Sequence, residues 1–144
     1  MDWSTLALLH LLATGFLTGL IWFVQVVHYP LLAAVGARGF RAYERAHCRR
    51  TTWVVLPAMT AELGLAVWLV FAAPPAASGW TLVGLGLLLL IWASTFFVQV
   101  PCHDRLQAGF DPTAHARLVR SNWLRTAAWS LRLGVAAGLL GQAG

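Results

Sequence analysis

Residues 6–27, 53–73, 80–100 and 118–140 are apolar stretches, each close to the ~20 residues that a helix needs to cross a hydrocarbon layer. Together they take up more than half of the 144-residue chain. They predict an all-α integral membrane four-helix bundle, built as a single transmembrane domain over residues 1–144. Composition agrees: 10% of residues are charged and 59% hydrophobic, where a soluble domain carries roughly a quarter charged. The net charge of +5 comes from ten arginines and no lysine. On so apolar a chain it reads as the cytoplasmic face of a membrane protein rather than a nucleic-acid surface. The start lacks a basic n-region and its apolar run exceeds the ~7–15 residues of a signal h-region, which predicts a retained first helix.

The two longer connections hold nearly all the charge. Arg38, Arg41, Glu44, Arg45, Arg49 and Arg50 lie between the first two stretches. Asp104, Arg105, Asp111, Arg117 and Arg120 lie in or beside the connection between the last two. The turn at 73–79, APPAASG, is short and uncharged, so the second and third helices should be antiparallel neighbours. With the basic connections inside, the expected place is the inner membrane of a bacterium, with both termini outside. Cys48 and Cys102 then fall near a reducing face and are expected as free thiols without a redox role. Trp3, Trp53, Trp80 and Trp123, at segment ends, suit the interface. Pro30 should bend or end the first helix. Residues 38–50 are expected as a short amphipathic surface helix, with Phe40 and Tyr43 dipping inward.

The chain also repeats itself. Phe23-Val24-Gln25-Val26 recurs as Phe97-Val98-Gln99-Val100, with His28 and His103 shortly after each copy. Gly39-Phe40 matches Gly109-Phe110, and Arg50-Thr51-Thr52-Trp53 matches Arg120-Ser121-Asn122-Trp123. His47 and His115 fall between these landmarks. A duplicated helical hairpin, residues 5–73 and 80–141, would relate the halves by a pseudo-two-fold along the membrane normal. The offset of 70 that aligns Trp53 with Trp123 also aligns Glu62 with Arg132. These are the deepest charges of their helices, opposite in sign, and are expected to pair across the axis.

From residue 97 to 132, polar groups run through sequence that otherwise reads as membrane-spanning. A charge deep in hydrocarbon costs several kcal/mol, so such groups normally face the protein interior. Gln25 with His28, and Gln99 with His103, share helix faces. Asn122, Arg125, Trp129 and Arg132 share one stripe. The expectation is an inward-opening pocket with His28, His103, Asn122 and Arg125 as its chemical groups and Gln25, Gln99, Glu62 and Arg132 lining or roofing it. The competing reading has these groups only holding helices together. A metal version would use His28, His103 and Glu62 with His47 or His115, residue types suited to iron, copper or zinc. No ligand spacing on a single helix supports it. Haem between His28 and His103 is a lesser variant. His10, alone near the outer end of the first helix, reads as interfacial or packed.

At HYPLL, GFRAYERAH, VVLPAM and LVRSNWLRTAAWSLR the chain resembles the anthrone oxygenase-like family of small four-span membrane proteins. The correspondence falls on Tyr29-Pro30-Leu31, Tyr43 with His47, Val100-Pro101 with His103, and Asn122-Trp123 with Arg125. The family often has Asn or Thr where this chain has Cys102-His103-Asp104. The resemblance implies an oxygenase-like oxidoreductase acting on a hydrophobic aromatic or enolisable small molecule from the bilayer. In a cofactor-free version His103 or His28 removes a proton, and Arg125 and Asn122 stabilise the enolate that meets O2. The alternatives are a non-catalytic membrane subunit or lipid-binding protein, in a homo-oligomer or larger membrane complex, and a His-ligated metal or haem redox protein.

Overall fold

The computed structural model describes residues 1–142 and is all-helical, with no strand among them. Helical stretches α1 (Trp3–Ala34), α2 (Phe40–Ala72) and α3 (Ser78–Gln107) are long and apolar enough to cross a membrane. They are followed by α4 (Pro112–Gly141). Asp2 caps α1 by accepting from the Thr5 amide at 2.7 Å. Asp111 caps α4 by accepting from Thr113 and Ala114 at 2.8 and 3.0 Å, with Pro112 in the first turn, where its missing N–H costs nothing.

Pro30 does not end α1. A proline has no N–H, and its ring collides with the carbonyl one turn back. The helix answers by widening into a π turn, Val24–His28, then resumes through Tyr29–Leu31 and a 3-10 turn. Pro101 has the same consequence in α3, where a π turn over Thr95–Gln99 precedes Val100–Gln107. Wide turns of this kind re-aim side chains and recur at functional positions.

The surface helix expected at 38–50 is instead the first three turns of α2, which runs unbroken from Phe40. Nothing between Phe40 and Trp53 interrupts a helix, neither glycine nor proline, so the helix propagates into the membrane segment. Phe40 is buried as expected, whereas Tyr43 is exposed.

Three apolar clusters are stacked along the molecule. Leu6, Ala7, Leu69, Ala77 and Leu139 close one end. Leu17, Ile21, Met59, Ile91, Ala128 and Trp129 fill the middle. Tyr29, Leu32, Phe40, Cys102, Leu106 and Leu118 fill the Arg-rich end. Buried polar residues form layers between them. The outer surface is apolar too, with Phe71, Trp53 and Phe97 among the most exposed side chains, as a lipid-facing surface requires. The inner stripe of α4 reads Leu118, Asn122, Arg125, Trp129, Arg132, Ala136 and Leu139, so α4 supplies both polar layers. Two residue pairs separated by 70 in sequence meet in space: Phe40 with Phe110, rings edge-to-face at 5.1 Å, and Glu62 with Arg132.

Candidate functional site

The layer toward the end closed by Leu6 and Leu139 is built around one ion pair. Arg132 donates to Glu62 Oε1 through Nε and Nη2 at 3.1 and 3.0 Å, and also to the Gly84 carbonyl. Thr14 donates to Glu62 Oε1 at 2.9 Å and Trp129 to Oε2 at 3.2 Å. His10 Nε2 lies 3.1 Å from Arg132 Nη2 and must accept, because a guanidinium has only donors. His10 is therefore packed, not interfacial. Glu62 and Arg132 pair as their spacing predicts, and the pairing takes Glu62 away from the histidines with which it would have held a metal.

The layer toward the Arg-rich end holds the open chemistry. Gln25, carried by the first π turn, accepts from Asn122 Nδ2 at 2.9 Å and donates to the Val119 carbonyl at 3.2 Å. Asn122 Oδ1 accepts from Arg125 Nη1 at 3.0 Å. Gln99, in the second π turn, accepts from Ser94 and donates to Ser121, each at 3.0 Å. The two glutamines thus tie α1 and α3 to α4, and Gln25 also fixes Arg125 through Asn122.

Beside Arg125 runs a proton-bearing chain. His103 Nδ1 lies 2.5 Å from Glu44 Oε1. A carboxylate only accepts, so Nδ1 carries a proton, and in the neutral ring Nε2 is then the acceptor. That nitrogen lies 3.1 Å from the Tyr29 hydroxyl, which donates to it when the ring is neutral. His47 stands next to His103, ring centroids 5.2 Å apart, and on its other side His28 at 4.4 Å. His28 Nε2 and Thr51 Oγ1 approach His47 Nδ1 at 2.9 and 3.0 Å. His47 occupies the space that a haem between His28 and His103 would need. His115 lies outside the cluster, donating to the Tyr29 carbonyl at 2.8 Å.

Glu44 is the candidate-site residue that sequence reasoning left among the surface charges; it is fully buried. With α2 extended back to Phe40, Glu44, His47, Cys48 and Thr51 share one face, and that i, i+3, i+4, i+7 stripe was the available signal. Donor atoms of Glu44, Cys48 and His103 lie within 4.8 Å of one another, a set of chemically suitable metal donors. They are, however, already engaged with each other, the Cys48 thiol at 3.5 Å from Glu44 Oε1.

All of this borders a cavity of about 270 Å³. Its walls are mostly apolar, with Leu17, Ile21, Val55, Met59, Trp92 and Trp129 among them, and its polar lining includes Tyr29, Thr51, Gln99, His103 and Arg125. Leu56, Phe96 and Val100 line it while remaining exposed on the outer surface, which places the mouth between α2 and α3. Of the residues expected to act, His103 and Arg125 line the cavity, Asn122 stands behind Arg125, and His28 lies behind His47. No family model, curated protein or solved structure matches this chain.

Proposed function

We propose that this protein is a membrane-embedded, oxygenase-like enzyme whose hydrophobic, enolisable aromatic substrate enters the cavity sideways from the bilayer. The observation that carries this reading is the Glu44–His103–Tyr29 chain ending on the wall of an apolar, lipid-side cavity that also contains Arg125. Such a site joins a positioned base to a preformed cation in a water-poor pocket, which enolate chemistry needs.

The Tyr29 oxygen takes the acidic C–H proton of the substrate while its own proton passes to His103 Nε2. Glu44 balances the imidazolium so formed. Arg125, held by Asn122 and Gln25, stabilises the enolate oxygen. The carbanion adds to O2 and forms a peroxide. That peroxide recovers the proton from His103 and loses water, leaving a ketone where a methylene stood.

In this reading α4 is a fourth span, both termini face outside, and the Arg-rich end faces the cytoplasm of a bacterium. A duplicated hairpin is the ancestry we infer. It is supported by the π turns that each precede a proline, and by the two contacts between residues 70 apart.

The test is O2 uptake by purified protein with anthrone. His103→Gln should stay folded and fall to the rate of the uncatalysed reaction, because an amide does not cycle a proton near neutrality. Wild type with no uptake above a protein-free control refutes the reading. Stoichiometric transition metal in purified protein would replace it with the metal reading.

A further inference from the structure

Arg125 is a buried cation without an anion. It is 5% exposed, and no carboxylate lies within ion-pair distance among the described residues. Arg132, two turns further along the same helix, shows the closed alternative: it is equally buried and fully matched by Glu62. Arg125 has neutral neighbours: the amide oxygen of Asn122 at Nη1, the Tyr29 hydroxyl, and the face of Trp129, whose ring centre is 5.2 Å from the guanidinium carbon. Its Nε is buried and makes no hydrogen bond. Nε lies on the edge of the guanidinium that grips carboxylates in the two-bond fork.

A second group on the same wall is in the same condition. Trp92 Nε1 is buried and unpartnered, and Trp92 lines the cavity. Each buried polar atom on this wall that lacks a partner is therefore a donor. Glu44 Oε2, an unpartnered acceptor, belongs to a residue that does not line the cavity. A cavity whose unmet needs are N–H donors and one positive charge is complementary to an anion with acceptor oxygens.

The remaining walls define the rest of the ligand. Trp92, Phe96 and Trp129 offer flat surfaces. An apolar cavity of about 150 Å³ admits one benzene ring, so 270 Å³ holds about two fused rings. We propose that the cavity binds flat aromatic carboxylates of about two rings as their anions, with Arg125 as counter-charge and Trp92 as a second donor. The inference shares the cavity and the Arg125 charge with the proposed enzyme but none of its reaction steps, since it concerns binding alone. A ready-made carboxylate takes the place that an enolate would occupy, so such acids also inhibit turnover.

The experiment is titration calorimetry of the full-length protein in dodecyl maltoside micelles, corrected with protein-free micelles. 2-Naphthoate is compared with its methyl ester, which has the same rings and no charge. The acid should bind at least tenfold more tightly. Arg125→Lys, which keeps the charge and loses the fork, should weaken the acid at least tenfold and leave the ester unchanged. Trp92→Phe should weaken the acid severalfold, and it decides the matter if Arg125→Lys does not fold. Equal affinity for acid and ester, no binding of the acid, or full-strength binding by a folded Arg125→Lys or Trp92→Phe protein each overturn the proposal. Acid binding without O2 uptake on anthrone keeps this inference and removes the enzyme.

Discussion

Removing one member of the Glu62–Arg132 pair should destabilise the protein far more than removing both. The side chains are 0% and 1% exposed, so neither charge has water to fall back on. Glu62→Gln keeps the shape but leaves the Arg132 cation with neutral acceptors only, the Gly84 carbonyl and His10. Arg132→Gln leaves the Glu62 carboxylate with Thr14 and Trp129 as its donors. Stranding one charge of a buried pair costs about 3–5 kcal/mol. At about 1.4 kcal/mol per factor of ten, the folded-to-unfolded ratio falls by roughly two to three and a half powers of ten. The double change strands no charge and replaces the pair by two amides within reach of the same neighbours. Its loss should fall short of the sum of the singles by about 2–3 kcal/mol, the upper range of measured couplings. The assay is reversible unfolding in mixed micelles titrated with a denaturing detergent, followed by far-UV circular dichroism for all four proteins of the cycle. Additive losses, or single losses under about 1 kcal/mol, a size appropriate to an ordinary interhelical hydrogen bond, refute the argument.

Orientation is tested by single cysteines at Ser78 and Arg45, both exposed and at opposite ends of α2–α3. In a chain lacking Cys48 and Cys102, the first should label with an impermeant thiol reagent in intact cells and the second only after permeabilisation; the reverse pattern inverts the topology. The α4 cap should make the Arg-rich end acid-sensitive. Asp111 is held below the usual carboxylate range, chiefly by the Ala114 amide and also by Thr113 and Arg105. A depressed value in the folded state means stability that is present above the ordinary carboxylate pKa and lost as pH falls through the depressed one. Asp111→Ala should flatten that acid limb of the stability–pH curve, and an unchanged limb would assign the acid sensitivity elsewhere.

What the amino-acid sequence determined by itself is what local periodicity and cost can express. Apolar length predicted membrane-capable helices, because hydrocarbon thickness and helix rise leave few alternatives. The polar stripe of α4 followed from the 3.6-residue period, and Asn122, Arg125, Trp129 and Arg132 do share the buried face. The Glu62–Arg132 contact was legible from one offset and the high cost of a lone buried charge. Tertiary structure decided the rest. Glu44 is indistinguishable from its arginine neighbours by composition, and only the continuation of α2 and the approach of α3 bury it against His103. Pro30 and Pro101 announce a disturbance but not its form; whether a helix stops or widens depends on what can take up its freed backbone groups. His28 and His103 were both placed in the pocket, yet His47 stands between them, because the face that each helix presents is local while the faces that meet are a property of the whole bundle. The cavity is the clearest case. It is a gap left between α2 and α3, and a gap has no residue of its own to announce it.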